Sequence, residues 1–155
     1  MTNQATDATA ATEEPERLTL DRRRLLHAFD WGVLTAAGVA VAYGVLLQLL
    51  DWGMIAVAVV GGWLIGRATN RGAWRDAAHW PSRALSLLAA VLGLFAWLGG
   101  FFVAYLLSRA LLDSDLSFVD RLADFPFLAY LAARYDLAQG AALLAMIVMG
   151  WRSAR

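Results

Sequence analysis

The chain has 155 residues, 60% of them hydrophobic, and its 13 basic side chains balance 13 acidic ones. Soluble domains are usually about 45–50% apolar, so this composition favours one compact membrane domain. Zero net charge removes any global electrostatic argument for nucleic-acid binding. The absence of cysteine excludes disulfides, thiolate metal sites and thiol catalysis.

Residues 1–24 are polar, with an acidic patch at Glu13, Glu14 and Glu16 and three consecutive arginines at 22–24. Such a segment cannot bury enough apolar surface to order itself, so we expect a flexible tail. The apolar run that follows is longer than the hydrophobic region of a signal peptide, about 7–15 residues. It is therefore interpreted as a membrane span.

Two apolar runs, residues 28–50 and 52–69, follow the tail and are joined by a short turn at 50–53. Each run carries a single charge, Asp30 in the first and Arg67 in the second. At about 1.5 Å per residue, the first run is long enough to cross a hydrocarbon core of roughly 30 Å, and the second spans about 27 Å. The short turn predicts an antiparallel transmembrane hairpin.

The second half of the chain predicts two further spans, at 83–108 and 127–151. Between them, residues 111–125 alternate polar and apolar stripes at helical spacing, which predicts a short amphipathic helix at the membrane surface. The last span is interrupted by Arg134 and Asp136, which are expected either in the headgroup layer or facing the bundle interior.

The predicted fold is therefore all-α: a polytopic membrane domain at residues 25–155, with four transmembrane helices and one outward-facing amphipathic interfacial helix. Ten of the 13 arginines fall on the side that holds both chain ends, and three fall on the other. By the positive-inside rule, we expect both termini in the cytoplasm and the chain in the cell (plasma) membrane.

Small residues recur at every fourth position of three predicted spans. In lipid, such faces allow helix backbones to approach closely. Packing between the two helices of the hairpin is the plainer interpretation, and a face reserved for another subunit is the alternative. The residues are Gly32, Ala36, Ala40 and Gly44 in the first span, Ala58, Gly62 and Gly66 in the second, and Ala96, Gly100 and Ala104 in the third.

Few residues carry recognisable chemistry. Residues 61–68 approach a phosphate-binding loop, but Arg67 and Ala68 replace its lysine and hydroxyl, and the segment is a predicted membrane helix, so the motif is rejected. The two histidines, His27 and His79, lack the further ligands that a metal site needs. We therefore expect no metal, no cofactor and no catalytic residues.

The sequence predicts a small non-enzymatic membrane protein, an accessory or scaffold subunit that packs against a membrane-protein partner or its own copies through the small-residue faces. Its other partner is the lipid bilayer, and no nucleic acid is expected. The alternative is a protomer of an oligomeric transporter or channel. That alternative would use Asp51, Arg134 and Asp136 as a polar site at an outer vestibule.

Overall fold

The computed structural model describes residues 22–50, 54–74, 82–111 and 117–155, except the side chains of Leu122 and Asp124. In these ranges the regular structure is helical, without strands. The helices are α1 (Arg22–Leu49), α2 (Met54–Ala73), α3 (Arg83–Ala110), α4 (Phe118–Asp124), α5 (Phe127–Arg134) and α6 (Leu137–Ser153).

Helix α1 begins at Arg22, so the three arginines that were assigned to the tail form its first turn. The rest of the predicted tail, residues 1–21, lies outside the described residues. The middle of the predicted turn, including Asp51, lies outside them as well. Helices α1, α2 and α3 otherwise coincide with the first three predicted spans to within a few residues.

The fourth predicted span is not one helix. It is divided into α5 and α6, whose axes differ by 100°. The break occurs because Asp136 has an extended backbone (φ −129°, ψ −177°) and its carboxylate accepts a hydrogen bond from the Gln139 N–H at 2.8 Å. Aspartate in this position starts a new helix. The sequence prediction of a continuous helix over 127–151 is corrected accordingly.

Helix α4 is shorter than the predicted amphipathic helix at 111–125. It spans only Phe118–Asp124, and residues 112–116 lie outside the described part of the chain. The Ser117 hydroxyl begins it by accepting a hydrogen bond from the Asp120 N–H at 3.3 Å. Phe118 and Val119 are both exposed, so the amphipathic character of this segment stays a prediction.

Two helices, α1 and α3, are long and apolar enough to cross a membrane, and a third span results if the bent pair α5–α6 counts as one. Helix α2 has 20 residues, but Arg67, Asn70 and Arg71 make its end polar. The outer surface carries large apolar side chains, among them Leu34 and Phe95, which are 68% and 62% exposed. Lipid-facing surfaces have this composition.

The long helices form a ring. Helix α1 packs against α2 and α3, α6 packs against the same two helices from the other side, and α2 also contacts α3 across the ring. The start of α1 at Ala28 lies against Gly72 at the end of α2 and clusters with Leu85 at the start of α3. Helices α1 and α3 therefore run in one direction, and α2 and α6 run in the other.

One hydrogen bond crosses the centre of this ring. The Tyr43 hydroxyl on α1 donates to the Gln139 side-chain oxygen on α6 at 2.6 Å, and both residues are buried. A second polar contact lies nearby, where the Gln48 amide donates to the Ala104 carbonyl oxygen at 2.8 Å. Buried polar groups need such partners where water is absent.

Replacing glycine by alanine is expected to have different effects on stability at Gly62 and at Gly38. A methyl group at Gly62 would clash with the Met146 carbonyl oxygen, whereas one at Gly38 would meet nothing within 4 Å. Gly62→Ala is expected to lower the free energy of unfolding by about 1–3 kcal/mol, the usual effect of overpacking. In the separated protomer, Gly38→Ala should leave this free energy unchanged or raise it by up to about 1 kcal/mol, because alanine favours helix. Thermal unfolding in detergent measures both, and equal effects would contradict the packing described.

Tyr43→Phe removes the hydroxyl that crosses the ring and leaves the Gln139 amide without its partner. We expect a loss of about 0.5–2 kcal/mol in the free energy of unfolding. The double variant Tyr43→Phe/Gln139→Leu should lose less than the two single changes added together, because the interaction is lost only once. Strictly additive losses would mean that this hydrogen bond does not stabilise the bundle.

Candidate functional site

The ten small residues of the predicted packing faces are all buried inside the protomer. On α1, a methyl group at Gly44 would lie 2.5 Å from the Gly100 carbonyl oxygen of α3. Farther along the same pair, Gly100 lies against Tyr43 and the Ala40 carbonyl oxygen. The small face of the first span therefore packs mainly against the small face of the third.

The small face of the second span packs against α6. A methyl group at Gly66 would lie 2.5 Å from the Gly150 carbonyl oxygen, and Gly62 lies against Met146. Contact between α1 and α2 includes Gly32 of the first small face, where an added methyl group would lie 2.9 Å from the Thr69 hydroxyl oxygen. It also uses Gly61 against Val39 and Gly72 against the start of α1. The small faces thus lie inside the protomer and contact α3 and α6 as well as the other helix of the hairpin.

One glycine of α1, Gly38, points outward instead. Gly38 has no neighbour within 4 Å of an added methyl group, unlike every other described glycine. Ala42 follows it by one helical turn and is also exposed, with Leu34 and Val45 exposed on the same side of the helix. This stripe was not distinguished in the sequence because periodicity alone does not tell an inward face from an outward one.

The predicted outer polar site is only partly described. Asp51 lies outside the described residues. Arg134 and Asp136 are exposed; the Asp136 carboxylate caps α6, and the Arg134 guanidinium lies 6.0 Å from the centre of the Tyr130 ring. Both side chains sit at the break between α5 and α6.

A cavity of about 590 Å³ lies at the opposite end of the bundle, between the last turns of α2 and α6. Its lining is strongly basic, and no acidic side chain of the described residues contributes to it. Two of its arginines are stacked on indole rings, Arg67 on Trp63 at 5.1 Å and Arg155 on Trp151 at 5.4 Å. The lining residues are Trp63, Arg67, Asn70, Arg71, Met149, Arg152, Ser153 and Arg155.

From the sequence, these arginines predicted only the orientation of the chain, and not that they line one cavity. A signal was present, because Gly62-Trp63 and Gly150-Trp151 each precede arginines at the ends of their helices. In the structure, α2 and α6 run side by side in the same direction, so the two matching ends meet. The basic cavity, which we call the arginine groove, results from that alignment.

Metal chemistry finds no support in the part of the chain that the structure describes, where no group of three or more His, Cys, Asp or Glu side chains converges. His27 is exposed on α1, and His79 lies outside the described residues. The small-residue faces can pack helices together, and the arginine groove can attract anions. Both are binding properties rather than catalytic ones.

Comparison with protein-family models, with curated proteins and with solved structures finds no match to this chain. Function is therefore proposed from the residues and contacts of this chain.

Proposed function

We propose that this chain is a non-enzymatic, multi-pass protein of the cell membrane that acts as an accessory or scaffold subunit. It would cross the bilayer four times, with α2 as its shortest span and α5–α6 as its broken one. The end of the bundle that holds the arginine groove would face the cytoplasm, together with residues 22 and 155. The clustering of arginines at that end supports this orientation.

The observation that carries the proposal is the outward position of Gly38. Glycine inside a helix is less favourable than alanine by roughly 0.5–1 kcal/mol. The other described glycines of the long helices offset this through close contact with a neighbouring helix, or with Tyr135 in the case of Gly140, but no contact among the described residues uses Gly38. Together with Ala42 one turn later, Gly38 forms a small-residue pair at the spacing that favours helix association in lipid.

The partner contact is therefore moved from the faces predicted in the sequence to the outer face of α1. The inward faces are already occupied by α3 and α6, so they are closed to a second protein. The outer face of α1 combines two small residues with exposed Leu34 and Val45, a combination that allows backbone approach and side-chain packing at once. A second copy of the chain or another membrane helix would fit this face.

The mass of the complex extracted in mild detergent tests this proposal. The wild-type chain should elute well above the protomer mass of 16.9 kDa, after correction for detergent by light scattering. Gly38→Leu and Ala42→Leu should shift it toward the protomer, because a large side chain separates the backbones. Ala56→Leu is the matched control, since Ala56 is exposed on α2, and it should assemble as the wild type does.

Two results would contradict the proposal. The wild type could be monomeric in every mild detergent and in extracts of its native membrane, which leaves no assembly to explain. Alternatively, Ala56→Leu could reduce the assembly as strongly as Ala42→Leu, which would show a general effect of added volume.

A second candidate function, an oligomeric transporter or channel, is favoured by the break between α5 and α6. Broken helices in transporters expose backbone groups and charges to an aqueous path. Here the break carries Arg134 and Asp136, both exposed.

Ionic current across planar bilayers that contain the purified protein tests this candidate. Arg134→Ala and Asp136→Asn should each reduce the current or change its ion preference, because both remove a charge from the proposed vestibule. Asparagine is also a good helix cap, so Asp136→Asn should retain α6. No current from the wild type, or identical currents from all three proteins, would reject the candidate.

A further inference from the structure

The arginine groove brings four guanidinium groups together between two helices. Arg67 and Arg71 come from α2, and Arg152 and Arg155 come from the end of α6. Within the described residues, no Asp or Glu side chain lines the groove. All four residues are exposed, so water weakens the repulsion between their charges. An anion bound between them would remove the repulsion that remains.

Favourable interaction of arginine side chains with the carbonyl ends of the helices does not explain the whole cluster. Positive side chains in the last turn of a helix interact favourably with its free carbonyl groups. Arg71 and Arg152 occupy last turns, but Arg67 lies more than one turn before the end of α2, where this effect has faded. Arg67 is directed to the same groove nevertheless.

Asn70 gives a second, independent indication of a ligand. It lines the groove, is only 5% exposed, and its side-chain oxygen accepts no hydrogen bond. A buried polar atom without a partner is unfavourable by about 1–3 kcal/mol, and such atoms are uncommon in native structures. The oxygen has almost no accessible surface, so a donor group of a ligand in the groove would reach it only after a rotation of the Asn70 side chain.

Two of the guanidinium groups are already held in place. Arg67 stacks on Trp63 and Arg155 on Trp151, so their long side chains lose less freedom when an anion binds. Tryptophan is also typical of the boundary between lipid and water. We therefore expect the groove to lie at this boundary, near the phosphate groups of phospholipids.

We propose that the arginine groove is a binding site for a phosphate group at the membrane boundary. Guanidinium groups match phosphate oxygens with paired hydrogen bonds, which gives this anion an advantage over a compact carboxylate. A hydroxyl next to the phosphate, as in the glycerol head group of phosphatidylglycerol, would donate to the Asn70 oxygen. An ammonium head group fits less well because four positive charges surround it.

Isothermal titration calorimetry of the full chain in a nonionic detergent tests the site. The probes are short-chain phosphatidylglycerol, short-chain phosphatidylcholine and sodium phosphate. We expect the anionic lipid to bind with saturation, and Arg67→Gln/Arg152→Gln to weaken its binding by about tenfold or more, since hydrogen bonds to charged groups are lost. Arg71→Gln/Arg155→Gln should act in the same direction.

The matched control is Arg23→Gln/Arg83→Gln. It removes the same charge from exposed positions at the same end of the bundle but outside the groove. It should change the affinity by less than about twofold, because exposed charges at a distance are screened by salt. Circular dichroism spectra of all variants verify that the helices are intact.

The outcomes are distinct. Tight binding of phosphatidylglycerol alone assigns the phosphate to a lipid, whereas comparable binding of sodium phosphate assigns it to a free anion. No saturable binding of either probe would overturn the proposal. Equal affinity for phosphatidylcholine with no effect of the groove variants would also overturn it, as would equal losses in the control. None of these results depends on whether the chain assembles through α1.

Discussion

Helix α6 lies between α2 and α3 at a separation that only missing side chains allow. A methyl group at Gly62 would clash with the Met146 backbone, and one at Gly150 would lie 3.0 Å from the Ala89 carbonyl oxygen. In lipid no hydrophobic force brings helices together, so packing depends on this close approach. The same principle acts on the other side of the ring, where Gly44 of α1 meets Gly100 of α3. The bundle is closed by backbone contact and by the one hydrogen bond from Tyr43 across its centre.

A fold held in this way separates two uses of small residues. Glycine is unfavourable in a helix, and the inward glycines offset this through contacts within the protomer. They therefore give no reason to expect a partner. Gly38 has no such offset in the described structure, and an outward glycine in a lipid-facing helix is therefore the more informative feature. The difference cannot be read from spacing, because Gly38 and Gly44 are both parts of regular small-residue patterns in one helix.

Hydropathy was sufficient to predict an all-helical chain and the positions of α1, α2 and α3, because long apolar runs without charges leave few alternatives. It failed at Asp136. Residues 127–151 were predicted as one helix, but Asp136 caps a new helix there and the chain turns through 100°. Whether a carboxylate caps a helix depends on the backbone of its neighbours, and a pattern of hydropathy does not contain that information. The partners of the small faces were likewise beyond prediction, because a face does not specify what covers it.

The arginine groove shows how packing creates a site that neither helix has alone. The sequence predicted ten arginines on one side of a membrane, and only the matching pairs Gly62-Trp63 and Gly150-Trp151 indicated which of them could converge. The arginines converge because α2 and α6 approach each other closely at two glycines. A methyl group added at Gly66 would lie 2.5 Å from the Gly150 carbonyl oxygen. This close contact aligns the ends of the two helices. Arg67 follows Gly66 directly, and Arg152 follows Gly150 by two residues. The contact that closes the bundle therefore also sets the distance between the two halves of the groove, so anion binding and helix packing are linked through one glycine pair.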